Sequence, residues 1–145
     1  MVECVAPAAL HIDRFLPPRP IRVLVDHASN DLTNELTIAA SQLEKGDVFR
    51  LLDRGAVKKK ILPAMYESAI RIATEKMQEI VTAAGDTMSL RLQEEIERLE
   101  DLQEINCHVP AEEIAAAKEQ REALRAAMST ARLRLDGLRL IFRVP

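Results

Sequence analysis

Hydrophobic and polar residues follow three different rhythms along this chain. Through residues 1–26 the rhythm is short. Residues 2–5 form an apolar run of strand type, and Leu10 and Ile12 alternate with His11 and Asp13. Ile21, Val23 and Val25 point one way in a strand, and Arg22, Leu24 and Asp26 the other. Between these stretches Pro17, Pro18 and Pro20 impose an extended corner, because each fixes its own φ and biases the preceding residue toward β. Ser29, Asn30 and Asp31 then predict a polar turn with a helix N-cap.

From residue 32 the rhythm lengthens to three and four. Leu32, Leu36, Ala39, Ala40 and Leu43 predict a short helix over 32–43, stopped by Gly46. Asp47 can cap a second one over 48–54, ending at Gly55. The dominant element starts near Pro63, a residue suited to a first helical turn. Its apolar stripe runs Met65, Ala69, Ala73, Met77, Ile80, Ala84, Met88, Leu92, Ile96, Leu99, Leu102. Such a helix over 63–105 would be roughly 60 Å long, weakened or bent at Gly85 by about 1 kcal/mol relative to Ala. After a turn at 106–110, Ile114, Ala117, Arg121, Leu124, Met128 and Ala131 predict a second helix over 110–132.

So short a turn predicts an antiparallel hairpin over 63–132. The expected register sets Leu102 near Ile114, Leu99 near Ala117, Leu92 near Leu124 and Met88 near Met128. Gly85 would fall opposite Ala131, two small residues permitting close backbone approach. Residues 93–104 are rich in acids, and the facing arm carries Lys118, Arg121, Arg125, Arg132 and Arg134, which favours this register. Arg121, on the seam, is expected to reach toward the acidic arm. The last rhythm is again two: Leu138, Leu140 and Phe142 alternate with Arg139 and Arg143. A strand over 137–144 is therefore expected to join the N-terminal strands and to cover the long helix between Met65 and Ala84. The predicted fold class is α+β: a small antiparallel sheet formed by both chain ends, packed with helices, plus a long antiparallel helical hairpin. A single domain over 1–145 is expected, with strands and proline corner at 1–26 and short helices at 32–55.

Composition agrees with packed helices. Of the 145 residues 48% are hydrophobic but only 3% aromatic, with no Trp and one Tyr, so the core must be aliphatic. A net charge of −3 gives no global drive toward nucleic acid or an anionic membrane. No membrane-spanning run and no basic-then-apolar leader pattern is visible, and a cytoplasmic setting with no membrane contact is expected. Cys4 and Cys107 are distant, unpaired in motif, and expected to be reduced.

Candidate chemistry is sparse. His11, His27 and His108 lack metal-ligand spacing, though Cys107 and His108 adjoin in the hairpin turn and could bind zinc if a second chain supplied ligands. The serines lack a nucleophile-elbow context, and no convergent catalytic set appears. Arg54, Lys58, Lys59 and Lys60 form the dense basic run. It reads either as a solvated face or as a weak contact to nucleic-acid phosphates. No interleaved aromatics support base stacking, and cations near a helix N-terminus are mildly disfavoured, which points to an acidic partner. The hairpin tip, with Asp101, Glu104, Glu112 and Glu113, reads either as a solvated turn or as a projecting partner contact. Arg14 and Arg22 flank the proline corner. They read as a structural corner, with Arg14 paired to Asp26 or a carbonyl, or as a recognition ridge.

Three strings carry a family resemblance. HIDRFLPPRPIRVLVD at 11–26, RLEDLQEIN at 98–106 and RLDGLRLIF at 134–142 occur in the order and spacing of the C-terminal domain of the RapA-type RNA polymerase recycling ATPases. These are SWI/SNF-type, helicase-like motors, and the resemblance covers about residues 2–145. It implies a parent protein with two RecA-like ATPase lobes upstream, binding ATP and magnesium there, and helping to release core RNA polymerase for reuse. The chain departs from that parent in its chemistry. Gly46, Gly55, Gly85 and Gly137 are scattered, and none belongs to a G-x-x-x-x-G-K phosphate loop. The expectation is a domain fragment without catalytic residues, cofactor or metal of its own. Its partners, by resemblance, are core RNA polymerase and the other domains of the parent ATPase, in docking or regulation. The alternative is a self-standing helical-hairpin protein for interaction or dimerisation. The isolated fragment is expected to form a homodimer or a sticky monomer, through apolar surface on its long helix.

Overall fold

A computed structural model describes residues 1–35, 46–47, 49, 52–106 and 108–142. The elements run β1 (Val2–Val5), a 3-10 turn (Ile12–Arg14), β2 (Arg19–Ile21), a π-helical turn (Val57–Ile61), α1 (Leu62–Ile105), α2 (Ala111–Ser129) and β3 (Arg132–Leu135). The fold is α+β, with an antiparallel sheet of order β2-β1-β3 built from both chain ends. The chain divides into two compact units. Unit 1 holds residues 1–3, 20–76 and 134–145, and unit 2 holds residues 4–19 and 77–133.

The sheet corrects three expectations. The strand expected over residues 2–5 forms, with Val2 and Cys4 buried, but Leu10 and Ile12 do not alternate as a strand. His11 adopts φ 65°, and Ile12–Arg14 wind into a 3-10 turn. The second strand lies earlier than expected, at Arg19–Ile21, and contains Pro20. Proline cannot donate to a ladder, so an edge position suits it, and β2 is an edge strand. Val23 and Leu24 lie outside any strand, and Val25 makes only an isolated bridge with Asp31. The closing strand is Arg132–Leu135; of the expected 137–144, residues 137–142 are not strand and 143–144 lie outside the described residues. It takes Arg132, which the helical pattern had claimed, because α2 ends at Ser129. The Met1 carbonyl accepts from the Asp136 and Gly137 N–H groups at 3.2 and 3.1 Å. Residues 136–142 follow without regular structure.

In unit 1 the polar turn is held by side chains. The Asp26 carboxylate accepts from the Ala28 and Asn30 N–H groups at 2.9 and 2.8 Å and from the Asn30 amide at 2.9 Å. Ser29 takes φ 67°, and its carbonyl accepts from the buried Ser68 hydroxyl at 3.1 Å. Residues 33–35 are turn; the rest of the short helix expected over 32–43 lies outside the described residues, as do 48, 50 and 51. Asp47 does act as expected, accepting from the Phe49 N–H at 3.0 Å. Gly46 has a packing role, since a Cβ there would come 2.7 Å from the Phe142 ring.

After a turn at Asp53 and a bend at Arg54, Gly55 opens a new helical path: it is itself helical, and the Arg54 carbonyl accepts from Val57 at 2.9 Å and Lys58 at 3.2 Å. The path winds wide through Val57–Ile61, the Leu62 N–H bonding the Val57 carbonyl. Pro63, immediately beyond, has no N–H to return to that turn, and a π turn accommodates the gap. From Leu62 the α-helix runs unbroken for 44 residues, about 66 Å. It passes through Gly85, where an added Cβ would meet nothing within 4 Å, so the close approach expected there does not occur.

Unit 2 holds the largest fully buried side chains among the described residues: Cys4, Leu16, Met88, Ile96 and Leu124. Of the expected stripe, Met88, Leu92 and Ile96 are buried on α1, and Ile114, Leu124 and Met128 on α2, while Leu102 is exposed. Two cross-helix bonds fix the register. Lys118 donates to Glu100 at 2.7 Å and Arg121 to Gln93 at 2.5 Å, each within two residues of the expected alignment. The 3-10 turn packs on α2, with Ile12, Phe15 and Leu16 buried beside it.

Candidate partner-binding surfaces

The basic run belongs to unit 1. Lys58, Lys59 and Lys60 occupy the π turn that leads into α1, and Arg54 precedes it; all four are exposed. Successive residues of a helical turn fan around its axis, so the three lysines do not form one flat face. Lys58 lines a cavity that Lys59 and Lys60 do not reach. Sequence reading missed this cavity. Its walls come from three separated segments, 23–25, 52–69 and 138–140, and no periodicity announces their meeting. The one local signal was Tyr66, the sole tyrosine, set off the apolar stripe and 45% exposed.

The acidic tip belongs to unit 2. Asp101 and Glu104 lie in the last turn of α1, and Glu112 and Glu113 in the first turn of α2. All four are exposed and none makes an ion pair among the described residues. Apolar Leu102 and Ile105 stand exposed between them, Ile105 at 86%. Among the described residues, cross-arm charge pairing is confined to Lys118 and Glu100.

Both sets share an electrostatic peculiarity. A helix favours carboxylates at its N-terminus and cations at its C-terminus. Glu112 and Glu113 obey that rule on α2. On α1 the first turn has no acid and the last turn no base; lysines precede the start and carboxylates occupy the end. Each misplaced exposed charge costs about 0.3–1 kcal/mol.

The other candidates scatter. Arg14 lies 5.4 Å over the Phe15 ring and, among the described residues, pairs with neither Asp26 nor a carbonyl; Arg22 is exposed. Arg121 bridges Gln93 and Glu122. Among the described residues no group of three or more His, Cys, Asp or Glu could hold a metal ion. Cys4 is a buried free thiol whose pKa burial pushes up, keeping it protonated; Cys107 lies outside the described residues. The His108 N–H donates to the Asn106 side chain at 3.1 Å within the hairpin turn. No described helix is long and apolar enough to cross a membrane.

The chain is similar to known proteins over nearly its whole length. A family model described as "RNA polymerase recycling family C-terminal" matches residues 1–143. The RNA polymerase-associated protein RapA of Pectobacterium carotovorum subsp. carotovorum (strain PC1) is 30% identical over 143 residues, covering 97% of this chain. RapA of Actinobacillus pleuropneumoniae serotype 3 (strain JL03) is 33% identical over 147 residues, again 97% of this chain. The chain spans 15% of the length of each of these relatives.

Proposed function

Because the chain belongs to the RNA polymerase recycling family, as its C-terminal domain, we propose that it is a non-catalytic docking or regulatory module of an ATP-dependent recycling factor. It works in the cytoplasm beside core RNA polymerase, with ATP and magnesium bound elsewhere in the parent protein. Its relatives carry association with RNA polymerase in their names, and its sequence holds no phosphate loop. The observation that carries a docking role is the charge on α1. Lysines before its start and carboxylates at its end oppose the helix dipole and lack ion-pair partners among the described residues. Charges that cost stability within the fold are explained by a gain outside it. The acidic tip, with Leu102 and Ile105 bare between its carboxylates, is the surface we assign to the protein partner. The basic run makes at most a weak phosphate contact.

Capture of core RNA polymerase by the immobilised chain tests this assignment. The quadruple variant Asp101→Asn, Glu104→Gln, Glu112→Gln, Glu113→Gln is expected to lose most of the captured polymerase. Full capture would remove the tip from the interface. A second reading, a homodimer through the long arm, is favoured by Leu90, which stands 62% exposed on α1. A concentration-independent monomer in sedimentation rejects it.

A further inference from the structure

We infer that unit 1 carries a docking cavity for an acidic amphipathic peptide segment, one presenting apolar side chains beside carboxylates. The cavity measures about 690 Å³, within the roughly 300–1,000 Å³ of ordinary ligand sites. Val23 and Val25 form one wall, Met65 and Ala69 of α1 a second, and Leu138 and Leu140 a third. This lining would take aliphatic side chains and release water from apolar surface on both partners.

The charge at the cavity is one-sided. Among the described residues its charged liners are Lys58 and Arg139, and no Asp or Glu lines it. Both cations are exposed, and neither is in an ion pair among the described residues. The chain as a whole carries −3, so this cationic rim is local rather than a reflection of overall charge. Tyr66, at 45% exposure, adds an aromatic body and a phenol beside the two cations. An apolar hollow rimmed by two cations and a phenol matches a leucine-type anchor flanked by carboxylates, and opposes a basic or neutral segment. This site shares no residue with the acidic tip and would bind a partner of opposite character.

Tyr66 is also the reporter. The chain has one tyrosine and no tryptophan, so its emission reports this cavity. The 145-residue chain is titrated with a capped peptide of Leu, Asp and Glu alone. Saturable change in Tyr66 emission is expected, and its absence at saturating peptide overturns the inference. The Asn and Gln analogue is expected to bind about ten-fold more weakly; equal binding removes the charge argument. Dodecanoate is the competing small amphiphile, and saturation by it with no response to the peptide would overturn the peptide reading. Lys58→Glu with Arg139→Glu is expected to weaken the peptide by ten-fold or more and to favour a peptide of Leu and Lys. Unchanged affinity overturns the site. Lys58→Gln with Arg139→Gln, at exposed positions, serves if reversal alters the circular dichroism. Polymerase capture by the tip variant is read separately, so either reading can fail alone.

Discussion

The two units bury their apolar residues very differently. In unit 2, Cys4, Leu16, Met88, Ile96 and Leu124 are nearly sealed, and cross-helix bonds lock α1 to α2. In unit 1, comparable residues such as Met65, Leu138 and Leu140 stand around a cavity of about 690 Å³. Among its described residues unit 1 buries the smaller set Val2, Ile21, Ile72 and Ala73, and adds polar devices: the Asp26 loop, the Ser68 bond to the Ser29 carbonyl, and the Lys76–Asp31 pair at 3.8 Å. Apolar composition alone therefore does not report packing. One unit spends its aliphatic residues on a closed core, and the other leaves some of them available to a partner.

The sharpest way to break this comparison is truncation. Ile96→Ala in unit 2 should cost about 2–5 kcal/mol in urea unfolding, through lost transfer energy and a residual cavity. Leu140→Ala in unit 1 should cost about 1 kcal/mol or less, because its side chain already borders open space. Equal losses would mean that unit 1 is as tightly packed as unit 2. Next, Gly85→Ala should stabilise the chain by about 1 kcal/mol, since the helix is continuous and the new methyl meets nothing. A loss in melting temperature would show that α1 needs flexibility at that point.

Glu104→Lys should add about 0.3–1 kcal/mol by restoring a cation to the end of α1, while reducing polymerase capture. Stabilisation with undiminished capture would separate the misplaced charge from docking. The smallest effect is local. The Asp26 carboxyl is held below its ordinary pKa, chiefly by the Asn30 N–H and side chain, and Asp31 by the Thr33 hydroxyl and N–H. Depressed carboxyl groups contribute stability above their unfolded pKa and lose it as pH falls through the folded value. The Ala28, Asn30 and Thr33 amide resonances should therefore hold steady at neutral pH and shift only below about pH 4.

The sequence made some of this legible and hid the rest for physical reasons. The hairpin was readable because a short turn joins one stripe, Met88 to Ile96, to one seam, Ile114 to Met128, and the turn sets their alignment. Strand positions near the prolines were harder. Val23 and Val25 alternate as a strand should, yet β2 lies at Arg19–Ile21, because edge position rather than alternation decides where a proline-bearing strand can pair. At the other end, Arg132 to Leu135 and Leu138 to Phe142 both alternate, and only pairing with β1 selects the first. The basic and acidic candidates were visible as charge runs. The cavity beside Lys58 was not, since it needs residues 23, 69 and 140 to meet.

The strand order has a consequence for how the chain matures on the ribosome. β1 lies between β2 and β3, and residues 2–5 must wait for residues 132–135 before the sheet is complete. Of this domain's strands, β1 leaves the tunnel first, with one edge unmatched until nearly the whole domain has been translated. Pairing over so great a chain separation is slow, and an open edge meanwhile invites wrong neighbours. The hairpin, whose arms are joined by a turn of a few residues, can form first and hold the late strand close to its place.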